Sequence, residues 1–370
     1  MLTKKNRSTA LRKVMKMELD QRKLKILAAI IETYIRTGEP VGSKFLSLYP
    51  EIRVSPATIR NDMAVLFDKG LLEQPHTSAG RIPSHLGYRV YIDQLMECSP
   101  LTPMERSEID ALFNIKYPDP DRLLTDAAKS LADYTGCATI STTITKADVK
   151  VKKVEILPAG TRTMVIILMA SNGVIRNKVC RVDFAVNPEI ITFFHKFANG
   201  WLAGKSIREI TSAYIGSVAV AMGEYSRIFT PVLGAIFELC RELSSGSYYV
   251  NGFTNLLAYP ELREGAHELF SFLENREQVT RMLSVMGQRM NVIVGRENPN
   301  QELTKASVVM ARYDIGRDTG SGIIALVGPV RLDYAKMIPH LEYFAQTMGK
   351  LLTETIEQDP EDESGLSADY

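Results

Sequence analysis

In the stretch RVSPATIRNDMAVLFDKG, a hydroxyl, a guanidinium and a carboxamide fall within one turn and a half, at Thr58, Arg60 and Asn61. No nucleophile, paired carboxylate or metal-spaced histidine accompanies them, so their chemistry is hydrogen bonding rather than catalysis. Arg matches the two acceptors on the major-groove edge of guanine, and Asn matches the acceptor and donor of adenine. Presenting them outward requires a helix with a well-defined start. Ser55 is a strong N-cap, because its hydroxyl can accept an otherwise unpaired backbone N–H. Pro56 follows at the first helical position, where a missing donor costs nothing. Val54 and Ile59 have the spacing of a hydrophobic staple. Ile59, Met63, Leu66 and Phe67 then predict a buried stripe on a helix over 55–69, leaving Ala57, Thr58, Arg60 and Asn61 facing outward.

The flanking segments add groups suited to a polyanion. Leu24, Leu27, Ile31, Tyr34 and Ile35 recur at helical spacing before Gly38 and Pro40. A short helix follows, entered through GEPVGSK, and offers Ser43 and Lys44 to phosphates. The glycine-to-lysine spacing is too short for a nucleotide-binding loop, and no strand precedes it. After the third helix, LLEQPHTSAGRIPS reads as a hairpin with Ser78, Gly80 and Arg81 at its tip, the form of a wing whose Arg reaches a minor groove or phosphate. Ser43, Lys44, Ser55, Ser78 and Arg81 are therefore the candidates for phosphate or minor-groove contacts, and Thr58, Arg60 and Asn61 for base contacts. His76 either touches DNA or closes a hydrogen bond within the wing.

Charge supports this division. Residues 1–95 hold 16 Lys/Arg against 9 Asp/Glu, whereas the remainder is acidic and the net charge of the chain is only +1. A basic head on an acidic body points to a polyanion for the head alone. The four cysteines (Cys98, Cys137, Cys180, Cys240) form no close pair, and the five histidines show no metal spacing. The longest apolar runs, such as 164–170, fall short of a membrane span. The start is basic but lacks an apolar core and a small-residue cleavage site. These features predict a cytoplasmic protein without a cofactor or membrane association, and they give an enzyme reading little support.

Beyond the linker SPLTPMERSE the pattern changes. LTDAAKSLADYTG is helical, and residues 151–184 read as three strands with turns at Ala159-Gly160 and Asn172-Gly173. Helical patterning returns over 188–215 and 223–244, with Ile228, Val232, Ile236, Leu239 and Leu243 on one stripe, and continues to about 290. NVIVGREN, ASVVMARYD and GIIALVGPV are strands, a last helix spans 334–356, and the tail is acidic. This order, strands then helices then strands, predicts one α/β domain interrupted by a mostly helical insertion.

Six segments carry a resemblance to one family. TGEPVGSK, VSPATIRNDMAVL and GLLEQPHTSAGRIPSHLGYRVYID resemble the N-terminal domain of the HrcA family, the heat-inducible transcription repressors of bacteria. NGFTNLLAYPEL, VIVGREN and IIALVGPVRLDY resemble later segments of that family in the same order. Pro56 and the Phe67-Asp68 pair depart from its common pattern, as do the long basic start and acidic end. The resemblance implies a repressor of chaperone operons that binds an inverted-repeat operator on double-stranded DNA as a homodimer. It also implies that the GroEL chaperonin keeps the repressor competent until heat shock diverts it.

The resemblance further implies an α+β multidomain fold: an N-terminal winged helix-turn-helix and a GAF-like α/β domain interrupted by a mostly helical dimerisation insertion. The expected boundaries are a basic flexible start at 1–20, the winged helix at 21–98, the GAF-like domain at 105–214 and 291–356, the insertion at 215–290, and the acidic tail at 357–370. Two other readings stay open. One is a metabolite-responsive regulator with Tyr134, Arg176 and Arg312 lining a pocket. The other is a chaperone-associated scaffold in which the insertion matters more than DNA.

Overall fold

The computed structural model describes residues 19–76, 79–113, 120–145, 149–316 and 320–357. The expectations for the basic start through residue 18, for Ser78 and for the tail from 358 lie outside the described residues. The head begins with α1 (Gln21–Thr37), whose first turn is capped by Asp20, which accepts the Lys23 N–H at 2.9 Å. Gly38, at φ 71°, returns its N–H to the Tyr34 carbonyl and ends the helix. Ile26, Leu27, Ile30 and Ile31 form the buried face of α1. The short α2 (Ser43–Leu46) and the longer α3 (Pro56–Asp68) pack against it. Strands β1 (Leu72–Glu73) and β2 (Ile82–Pro83) pair antiparallel, and Val41 bridges Arg81 to extend the ladder. Helix α4 (His85–Val90) runs into a π-helical turn over Tyr91–Leu95, and α5 (Pro103–Ala111) opens with a complete capping box between Thr102 and Glu105.

The body is an antiparallel five-stranded sheet. Its strands are β3 (Ala138–Thr145), β7 (Tyr248–Asn251), β8 (Met290–Val294), β9 (Ala306–Ile315) and β10 (Gly320–Pro329), in the order β7-β3-β10-β9-β8. Val309, Ala311, Tyr313, Ile324 and Leu326 share a core with Leu341 and Phe344 of α14 (Tyr334–Glu357) and with Leu124 and Leu131 of α6 (Pro120–Thr135). Val308, Met310, Ile323 and Ala325 point the other way. They pack under α12 (Ala266–Glu274) and α13 (Arg276–Val285), with α10 (Phe253–Leu256) and α11 (Pro260–Arg263) contributing Leu256 and Leu262. Because both faces are covered, β9 and β10 read as nearly continuous apolar runs instead of alternating.

Between β3 and β7 the chain builds a separate unit. Strands β4 (Val151–Gly160), β5 (Thr163–Ala170) and β6 (Ile175–Arg181) form a three-stranded sheet of their own. Helices α7 (Pro188–Leu202), α8 (Ser212–Ala221) and α9 (Ser226–Ser245) cover one face of it, around Phe194, Phe229, Val232, Ile236 and Leu239. Strand pairing therefore places the insertion at about 149–245, not at 215–290 as expected from the sequence. Residues 248–290 belong to the body, since Leu269, Phe272, Val279 and Leu283 pack on its sheet. The three strands lie where the sequence predicts but form a sheet of their own, because a strand pattern does not name the core that the strand covers. Ile228, expected on the buried stripe of α9, is exposed, and Phe229 takes the inward position. Among the described residues no helix is long and apolar enough to cross a membrane.

Head and body meet in a charged, closely fitted joint. Arg89 of α4 is only 3% exposed and donates from Nε to Glu297 at 2.8 Å, from Nη2 to Glu297 and to the Val292 carbonyl at 2.9 Å, and from Nη1 to Asp93 at 3.3 Å. Beside it, His85 Nδ1 accepts the Arg296 N–H at 3.3 Å. A Cβ on Gly295 would stand 2.2 Å from the His85 ring, so this contact admits glycine alone. Burial, then the charge of Arg296, holds the His85 imidazole below its ordinary value. As pH falls, the unfolded chain takes up that proton first, and stability drops through and below the ordinary histidine range. Urea unfolding at pH 7.5 and 5.5 checks this: His85→Gln should lose less stability than the parent over that interval, and equal losses would rule the assignment out.

Candidate nucleic-acid interface

Helix α3 starts where the sequence predicts. Ser55 Oγ accepts the Thr58 N–H at 3.2 Å and lies 3.0 Å from Thr58 Oγ1, with Pro56 at the first position. Ile59, Met63 and Leu66 are buried, while Ala57, Arg60, Asn61 and Ala64 are exposed and Thr58 is half-buried. At 100° per residue, Arg60 and Asn61 thus point in different directions across the exposed part of the helix. Phe67 does not complete the buried stripe as expected; it is 41% exposed. The inward side of the helix carries instead Asp62, a charged residue at 4% exposure whose carboxylate pairs with Arg22 at 2.7 Å. No local pattern signals that pair, because its cation lies 40 residues earlier.

The flanking candidates divide. Lys44 is exposed on α2. Ser43 is buried at 8%, because Ser43 and Leu46, three residues apart in one short helix, share its inward side; this withdraws Ser43 from any phosphate. Arg81, expected at a free wing tip, instead exchanges two 2.9 Å backbone hydrogen bonds with Val41. Its guanidinium lies over the Phe67 ring, 5.1 Å from the centroid. The cation–π contact explains both departures: the exposed ring and the base of the hairpin cover each other. Gly80 permits the close approach, since a Cβ there would meet the Val41 carbonyl oxygen at 2.4 Å. His76 is exposed, and its carbonyl accepts the Ala79 N–H at 2.9 Å across the turn. Arg53, not singled out from the sequence, is also exposed and lines a shallow groove of about 540 Å³ with Ser47, Tyr49 and Ser55 at the entry to α3.

Tyr134, Arg176 and Arg312, considered as the lining of a ligand pocket, are held by separate partners. Tyr134 donates to Glu108 at 3.2 Å and stacks on His340. Arg176 pairs with Asp121 and approaches Ser247, joining the insertion to the body. Arg312 donates to the Met286 carbonyl at 3.0 Å. Among the described residues no three His, Cys, Asp or Glu side chains are placed to hold a metal ion.

The model of the HrcA protein C terminal domain matches residues 121–338, which cover the body sheet and the insertion. The chain belongs to the HrcA family. Its full-length similarity agrees: the heat-inducible transcription repressor HrcA of Alkaliphilus metalliredigens is 34% identical over 325 residues, covering 87% of this chain and 94% of that protein. That of Lachnoclostridium phytofermentans is 35% identical over 333 residues, covering 88% and 95%. HrcA is a family of transcription repressors, not of enzymes, which accords with a site built from hydrogen-bonding groups rather than a catalytic constellation. A crystal structure titled as a hypothetical protein at 2.2 Å resolution shares the fold, with a TM-score of 0.65 at 23% identity over 91% of this chain and all of that one.

Proposed function

We propose that this HrcA-family repressor binds an inverted-repeat operator in double-stranded DNA as a homodimer, with α3 of each head in a major groove. The single observation carrying the reading is the outward face of α3, where Arg60 and Asn61 stand exposed on a capped helix whose other side is buried. The three helices and the hairpin of the head make a winged helix-turn-helix in this reading, Lys44 and Ser55 reach phosphates, and Thr58 adjoins the base contacts. The body sheet with helices on both faces is its GAF-like domain.

The homodimer places the two heads about one helical turn of DNA apart, as two half-sites demand. The insertion at 149–245 is its pairing unit. Phe193, Trp201 and Tyr225 are exposed there, and the rings of Tyr225, Phe193, Phe197 and Trp201 follow one another in that order at 5.6–6.0 Å. A continuous aromatic surface of this kind marks a partner interface. Subunits that expose it before pairing are natural clients of the GroEL chaperonin, so competence follows chaperonin supply and falls on heat shock. The protein acts in the cytoplasm, where operator and chaperonin are.

Fluorescence anisotropy with an inverted-repeat duplex and a scrambled one, across a salt series, tests the reading. Operator binding at least ~10³-fold tighter than scrambled, weakening with salt, is the expected result. Equal affinity for both duplexes by folded protein would overturn it. Arg60→Ala is expected to cost ~1–3 kcal/mol on the operator and to relax preference at one position per half-site. Lys44→Ala should weaken both duplexes and flatten the salt slope by about 1 per subunit. A loss on Arg60→Ala equal for both duplexes would remove its base contact.

A further inference from the structure

The buried carboxylate of Asp62 has two cationic partners, both on the first turn of α1. Arg22 donates from Nε to Oδ2 at 2.7 Å and from Nη2 to Oδ1 at 3.2 Å, and Lys23 Nζ lies 3.4 Å from Oδ1. Lys23 also reaches Asp20, the N-cap of α1, at 2.5 Å. The four side chains form a closed, charge-neutral group that ties the start of α1 to the middle of α3. An apolar residue at 62 would extend the stripe of Ile59, Met63 and Leu66 and hold the helix by packing alone, which tolerates sliding and rotation. A two-pronged pair between a planar guanidinium and a carboxylate accepts far fewer orientations. At 100° per residue, Asp62 directed at α1 puts Asn61 to one side and Arg60 almost opposite.

We propose that Asp62 is a positioning residue for DNA reading: through Arg22 and Lys23 it sets the rotation of α3 and so the direction in which Arg60 and Asn61 point. It has a second consequence. Asp62 balances the charge of two cations of the basic head, so in this reading it trades sequence-independent attraction for discrimination. This rests on the operator-binding reading of the head and adds a residue that touches no base.

The test uses the full chain with the operator and scrambled duplexes over a salt series, for the parent, Asp62→Asn, Arg22→Gln and the double variant. Asp62→Asn keeps the shape of the side chain and removes its charge. The operator-to-scrambled ratio is expected to fall about 10-fold, the size of a misdirected base contact. Scrambled binding should hold or rise, with a salt slope steeper by about 1 per subunit, because Arg22 and Lys23 are left with one carboxylate fewer. The double variant should discriminate no worse than Asp62→Asn within about 3-fold, since the two residues act through one contact. A purely structural role would lower both affinities together and leave the slope unchanged, and that result overturns the proposal, as does a parent-like ratio. If Asp62→Asn does not fold, Arg22→Gln carries the test: its half-exposed side chain leaves Asp62 paired with Lys23, and an unchanged ratio overturns the proposal. A parent that binds both duplexes equally removes the operator reading and this proposal with it, whereas a discriminating parent matched by its variants removes the proposal alone.

Discussion

Arg89→Met is expected to destabilise the protein by ~3–5 kcal/mol, the cost of removing one partner from a buried ion pair. Arg89 stands between two carboxylates, Glu297 and Asp93, and pairs with both. Met replaces the stem of the side chain but leaves both acids facing each other, and Asp93 Oδ2 is already buried without a hydrogen bond. The Val292 carbonyl loses its donor as well. Glu297 retains the Val294 N–H at 3.0 Å and is 30% exposed, which holds the cost within this range. Since Arg89 lies in the head and Glu297 in the body, the loss should also uncouple them. Urea unfolding should then show the head melting before the body, and cleavage in the linker near residues 98–102 should quicken. A loss under ~1 kcal/mol with a single unchanged transition would show that the joint is held by packing instead, through Tyr88 on Tyr334 and the His85–Gly295 contact.

Phe229→Ala should have an effect of similar size in a different unit. Phe229 is fully buried in the insertion, with its ring 4.7 Å from Phe194 and 5.9 Å from Phe184. Truncating such a residue costs ~3–5 kcal/mol through lost transfer energy and the cavity left behind. Its core is built from residues 149–243 and is distinct from the apolar cluster that head and body share. The loss should therefore appear as separate melting of the insertion, with the other two units intact. Under the homodimer reading, sedimentation should also show a concentration-dependent shift to monomer. Dimerisation unchanged in a protein whose insertion has melted would move the pairing surface elsewhere.

Local chemistry made much of the head legible in advance. The start of α3 is specified by Ser55 and Pro56, which act through their own backbone and need no distant partner. The outward placement of Arg60 and Asn61 follows from the spacing of Ile59, Met63 and Leu66. Strands β9, β10 and β5 announce themselves as apolar runs between turn signals, although β5 buries only alternate residues. Strand β3 was hidden, because ATISTTIT is polar, yet Thr139, Ser141 and Thr142 are buried in the body sheet. Thr139 is satisfied by the Ala128 carbonyl at 2.7 Å, a partner supplied by α6. Strand β7 is four residues long and exists through pairing with β3.

What the sequence determined by itself is what depends on neighbours within a few positions: the helix caps, the turns, the strand and helix periods, the basic head, and the side chains available for base contacts. Only the tertiary structure decided which units these elements form. It moved the insertion to 149–245, buried Ser43, laid Arg81 over Phe67 and paired Asp62 with Arg22. The physical reason is the same in each case. Periodicity says that a side chain must be covered or a charge balanced, but the covering surface or countercharge comes from tens or hundreds of residues away.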